Sequence, residues 1–150
     1  MELKDEIIIN ASQAVVYAAL NDPEVLKQCI PGCEELIKHS NTELEAKVVL
    51  KIGPVKAKFS GNVTLSPAEP PERFSLAGTG NGGAAGYVKG GAVVELEQHQ
   101  DGTLLRYTAT ADIGGKLAQL GSRLIQGTAK KLAAEFFKSF ADLVGEDNAA

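Results

Sequence analysis

ELEAKVVLKIGPVKAKFSGNVTL, residues 43–65, alternates almost without a break. Leu44, Ala46, Val48, Leu50 and Ile52 fall on one side, opposite Glu43, Glu45, Lys47 and Lys51. After Gly53-Pro54 the pattern resumes, with Val55, Ala57, Phe59, Val63 and Leu65 opposite Lys56, Lys58, Ser60, Asn62 and Thr64. Successive side chains of a strand point to opposite faces, so this stretch reads as antiparallel strands with one wet face and one dry face. Upstream, Leu3 to Ile9 reads as a first strand, with Ile7, Ile8 and Ile9 as β-branched filling. Ser12 is placed to cap a short helix through Leu20, and Asp22-Pro23-Glu24 opens a second that runs to about Ile30 and stops at Pro31-Gly32.

Downstream, Pro67 to Pro71 is a turn, and Phe74 and Leu76 begin the next strand. Val88, Ala92, Val94 and Leu96 form another, ending at Gln100-Asp101-Gly102, and Leu105, Tyr107, Ala109 and Ala111 form the last. Gly114-Gly115 then introduces a long helix to about Val144. Leu117, Leu120, Leu124, Leu132, Phe136, Phe140 and Leu143 make its apolar stripe. Gln119, Arg123, Gln126, Lys130, Lys131 and Lys138 crowd its other side, a solvated face or a surface for an anionic membrane or an acidic partner.

The order is therefore strand, two short helices, about six consecutive antiparallel strands and one long helix. This is an α+β domain over residues 1–145 with a frayed tail at 146–150. Sequential strands pair as a meander, the last helix covers the dry face, and the short helices close one end. The dry face is rich in small residues: Ala46, Ala57, Gly61, Gly90, Ala92, Ala109 and Ala111. Aromatic residues make up only 5% of the chain and there is no tryptophan, so little is available to fill that space. Either helix and sheet approach closely, or a ligand lies between them.

Charge narrows the functional classes. The net charge is -4 with no long basic block, which argues against nucleic-acid binding. No apolar run approaches the ~18 residues that span a bilayer, and no signal peptide is seen, so a cytoplasmic location is expected. Gly78-Thr79-Gly80-Asn81-Gly82-Gly83 matches G-x-G-x-x-G, but Tyr87-Val88-Lys89 reads as strand rather than helix, so it is a glycine-rich hairpin or pocket rim. Cys29 and Cys33 lack the further ligands a zinc site needs, with His39 and His99 elsewhere, and read as structural thiols. No metal or cofactor is expected. Glu95 and Glu97 alternate with Val94 and Leu96 and face water, and Asp112 reads as the cap of the last helix. Gly121 and Gly127, set inside that helix, read as a bend or as places of close approach.

Several motifs together resemble the family of the carbon monoxide dehydrogenase G subunit: Asn21 to Leu26, Cys29-Ile30-Pro31-Gly32-Cys33-Glu34, Ile52-Gly53-Pro54, the glycine series from Gly78 to Gly91, and Leu117 to Ile125. The resemblance covers roughly residues 1 to 140. It implies a START-like, polyketide-cyclase-like helix-grip fold of about seven strands with an apolar cavity. It also implies a non-enzymatic accessory role beside a molybdenum hydroxylase such as CO dehydrogenase, through recruitment to the inner face of the membrane or handling of a lipid- or quinone-like molecule. Members that anchor to membranes carry a C-terminal extension with an apolar end. The sequence stops at Ala150, so membrane contact is expected to be peripheral at most.

On this reading the wall of the ligand site is Leu50, Phe59, Phe74, Leu76, Val94, Tyr107, Leu117, Leu120 and Leu124. Burying ten methylenes there contributes about 8 kcal/mol before ordering costs. The competing reading is a cyclase- or dehydratase-type enzyme using the same cavity. It needs polar groups converging inside, and the sequence offers Tyr107 and little else.

Overall fold

The computed structural model describes residues 1–145, and only the backbone of 67–69; the expected tail at 146–150 lies outside the described residues. The elements are β1 (Glu2–Ile9), α1 (Gln13–Leu20), α2 (Pro23–Cys29), β2 (Cys33–Lys38), β3 (Glu43–Ile52), β4 (Val55–Glu69), β5 (Arg73–Asn81), β6 (Tyr87–His99), β7 (Gly102–Gly114) and α3 (Ser122–Val144). Short 3-10 segments occupy Gly83–Ala85 and Gly115–Leu120. Seven strands form one open antiparallel sheet in the order β1-β7-β6-β5-β4-β3-β2. The alternation over residues 43–65 becomes the β3–β4 hairpin around Gly53-Pro54, with Leu50 opposite Ala57 and Val48 opposite Phe59.

Both short helices begin where their caps place them. The Ser12 hydroxyl accepts the Val15 N–H at 3.3 Å, and Asp22 Oδ1 accepts the Glu24 N–H at 2.9 Å. Gln13 Nε2 donates to the Leu96 carbonyl at 3.1 Å and ties α1 to β6. At this end α1, α2 and the C-terminal half of α3 enclose the larger core around Ile9, Val16, Phe74, Leu105 and Phe140. Ala57, Phe59, Ala85 and Leu117 form a second, smaller cluster.

Four expectations are corrected by the structure. The long helix starts at Ser122, not at Gly114-Gly115. The Gly115–Leu120 segment is a 3-10 turn, and Gly121 (φ +94°) breaks it from α3 in a conformation that favours glycine. Asp112 therefore caps nothing; it lies on β7 opposite Lys89. β4 runs on to Glu69, so the turn is confined to residues 70–72. Ile8 faces outward with Lys4 and Glu6, because the core-facing set of β1 is Leu3, Ile7 and Ile9. β2 is an addition, a strand that the sequence pattern does not announce.

Candidate functional site

The site begins with glycines and alanines. Cross-strand register sets Ala46, Gly61 and Gly80 in one row of the inner face, Gly78, Gly90 and Ala111 in the next, and Ala92 beside Ala109 in a third. This oblique belt of small side chains crosses from β3 to β7 and separates the two core clusters. A methyl group built on Gly61 would meet only the carbonyl oxygens of Thr79 (3.3 Å) and Ala46 (4.0 Å). One on Gly80 would meet only the Phe59 ring (4.0 Å). No atom of α3 lies within 4 Å of either position. The backbone of α3 comes nearest to α2, β1 and β3 rather than to the central strands. The helix thus bridges a trough in the sheet.

The expected wall residues divide between the two ends of that trough. Phe74 and Val94 are buried in the larger cluster, with Leu76 and Tyr107 half-buried against it. Phe59 and Leu117 are buried in the smaller one, with Leu50 and Leu120 packed on it. Leu124 stands apart: it is 38% exposed and lies over Gly53 of the β3–β4 turn.

An opening of about 830 Å³ lies between β1 and α3 and has an apolar floor of Leu3, Ile7, Ala133 and Phe137. Tyr107 is the one expected wall residue that lines it. Its ring stacks on Phe137 with centroids 5.0 Å apart, and its hydroxyl makes no hydrogen bond within the described residues. Burial, aided by the negative charge of Asp5, pushes the Tyr107 phenol above its ordinary pKa.

Asp5 is a site residue that the sequence reading passes over, although a signal exists. Leu3, Ile7 and Ile9 share one face of β1, and period two puts Asp5 among them, opposite Tyr107. Lys130 and Gln126 of α3 join it around the opening, and Gln126 Nε2 donates to the Glu2 carbonyl at 2.9 Å, fastening α3 to β1. A second phenol, Tyr17 of α1, meets Phe74 edge-on at 5.5 Å. Its hydroxyl is shielded from solvent without a hydrogen-bond partner, and burial raises its pKa.

The other polar candidates lie outside this trough. Glu97 accepts from Arg106 at 2.7 Å on the solvated face of the sheet. Cys29 is buried at the end of α2, while the Cys33 thiol lies 3.4 Å from the Glu35 carbonyl. The glycine series turns between β5 and β6 and opens no α-helix, so it lacks the helix N-terminus a dinucleotide site needs. No helix among the described residues is long and apolar enough to cross a membrane.

Comparison with solved structures finds the same architecture. A conserved protein from Geobacillus kaustophilus is 31% identical, with a TM-score of 0.89 over 96% of this chain and 95% of that one. A protein from Chromobacterium violaceum is 14% identical (TM-score 0.74, 97% and 98% covered). One from Thermus thermophilus is 17% identical (TM-score 0.72, 96% and 97% covered). These last two speak to fold alone. No curated protein sequence matches the chain. The sequence profile of the carbon monoxide dehydrogenase G subunit (CoxG) matches residues 6–145, nearly the whole domain, and the chain belongs to that family.

Proposed function

We propose that the protein is a non-enzymatic carrier and accessory: it holds a lipid- or quinone-like molecule between sheet and α3, and assists recruitment or assembly of a molybdenum hydroxylase. Contact with the membrane is peripheral. The observation that carries this reading is the belt of small residues under a helix that does not descend into it. A well-packed interior leaves few voids larger than a water molecule, so a trough of this kind is the place for an apolar guest. Tyr107 supplies a phenol without a protein partner at its margin, suited to a carbonyl or hydroxyl on the guest. The test is native mass spectrometry of the purified protein, joined to thermal unfolding with quinones and fatty acids. A ligand at 100 times its Kd adds about 2.7 kcal/mol, which raises the midpoint by several degrees in a chain of this size. No retained mass and no midpoint shift with any apolar compound would remove the carrier reading. Failure to co-purify with a hydroxylase from the native host would remove the assembly role.

One observation favours a second reading. Asp5, Tyr107 and Lys130 line one opening, so polar groups gather at its mouth, as a cyclase- or dehydratase-type enzyme requires. Turnover abolished by both Asp5→Asn and Tyr107→Phe, with ligand binding retained, would establish it.

A further inference from the structure

β1 closes one edge of the sheet, with no strand beyond it. The Met1 ammonium donates to the Ala111 carbonyl at 3.1 Å, and the Ala111 N–H donates back to the Met1 carbonyl at 3.0 Å. Backbone groups alternate sides along an antiparallel strand. Leu3, Asp5 and Ile7 therefore bond to β7, while Glu2, Lys4, Glu6 and Ile8 turn theirs away from the sheet. Two contacts agree: the Glu2 carbonyl accepts from the Gln126 amide of α3 at 2.9 Å, and the Glu6 N–H donates to Asp5 Oδ1 at 2.8 Å. The backbone N–H and C=O groups of Lys4 and Ile8 have no partner among the described residues.

Edge strands are usually blunted by shortness, a proline or a bulge. β2, the opposite edge, is six residues long and bulged between Cys33 and Glu35. β1 runs for eight residues in unbroken register without a proline. Beside it lies the opening of about 830 Å³, which Leu3 and Ile7 line together with Ala133 and Phe137 of α3. An open edge with a helix alongside and side-chain room between them suits an extended peptide that adds as a further strand. Donors and acceptors repeating every two residues, roughly 7 Å, match another main chain and no part of an apolar small molecule.

A second copy of β1 fits this edge poorly. Antiparallel pairing about a two-fold axis sets one residue against itself, and the registers of greatest overlap oppose Asp5 to Asp5 or Glu6 to Glu6. We infer that the free edge of β1 takes an extended segment of a different protein as an additional strand. Its inward side chains are apolar where they meet Leu3 and Ile7. Between them a lysine or arginine meets Asp5, which has no ion-pair partner among the described residues and lies beyond ion-pair distance of Lys130. This surface goes beyond the carrier reading and does not depend on a cargo.

The probe is a blocked heptapeptide of threonine with valine at its second and sixth positions and lysine at its fourth. It is titrated into the whole chain while amide hydrogen exchange is followed by NMR. Exchange at Lys4 and Ile8 is expected to slow at least tenfold. N-methylation at the third and fifth positions, whose N–H groups face β1, abolishes binding, and N-methylation at the fourth, which faces away, leaves it. Glutamate in place of the central lysine weakens binding about fivefold, and Asp5→Lys reverses that preference. Unchanged exchange at Lys4 and Ile8 in millimolar peptide overturns the inference. So does equal binding of the peptide methylated at its third and fifth positions, or a preference that Asp5→Lys leaves unmoved. Slowing confined to Leu36 and Lys38 moves the site to β2 and overturns it too. A dimer in solution that protects Lys4 and Ile8 without peptide overturns it in favour of a second copy. No arm uses an apolar compound, so each of these failures leaves the carrier reading standing.

Discussion

The Asp5 carboxylate and the Tyr107 phenol sit opposite each other on neighbouring strands, and each reports on the other. The Tyr107 pKa is raised by burial first and by Asp5 second. Asp5→Asn is therefore expected to bring the ionisation of Tyr107 back toward the ordinary value of about 10, followed by absorbance titration with Tyr107→Phe as the assignment. An unmoved transition would place Asp5 away from the trough. A raised phenol pKa means that the folded state holds its proton more tightly. Its share of stability is complete below about pH 10 and is lost as pH rises through the folded value. Gly127 makes a separate point. The sequence admits a close approach there, but a methyl group at this position meets nothing within 4 Å. Gly127→Ala is expected to stabilise the protein by up to about 1 kcal/mol in denaturant unfolding. A destabilised variant would mean that something packs on that face. Asp5 is hard to read from the sequence because Glu2 to Glu6 is polar at almost every position, and only Ile7 and Ile9 settle which way the strand faces.

Among the elements, legibility follows the strength of the local signal. β3 and β4 are plain in the sequence because residues 43–52 alternate at every position but Val49 and a two-residue Gly-Pro turn fixes their register. α1 and α2 are plain because Ser12 and Asp22 are strong caps, and Asp22→Ala is expected to cost about 1 kcal/mol of stability, read from the denaturant midpoint. β2 escapes notice because Glu34 and Glu35 are adjacent, a bulge shifts the register between Cys33 and Glu35, and Leu36 alone of its side chains reaches the larger core. The start of α3 is misplaced because Leu117 and Leu120 are three apart, a spacing that a 3-10 turn and an α-helix share over one turn. The consequence is energetic as well as descriptive. Leu117 is not one rung of a long helix but the plug of the smaller cluster. Leu117→Ala is expected to cost about 2–5 kcal/mol in denaturant unfolding, in the manner of a buried core truncation.

At the scale of the molecule, strand order, helix order and the presence of one dry face can all be read from alternation and caps. Whether that face is packed or hollow cannot, since composition does not say how closely a helix settles on a sheet. The difference is measurable at Gly80, where an added side chain meets only the Phe59 ring. Gly80→Val is expected to hold or raise stability, because valine suits a strand, while weakening capture of an apolar guest at least tenfold. In a solid interior the same change would strain the fold by about 1–3 kcal/mol. The belt also has a thermodynamic consequence for the empty protein. With two islands of packing joined mainly by backbone hydrogen bonds, heat should not melt the whole chain as one unit. Calorimetry of the delipidated protein should give a van't Hoff enthalpy smaller than the calorimetric one. On the carrier reading a guest spanning both islands would act as a keystone, and on saturation the two enthalpies should converge.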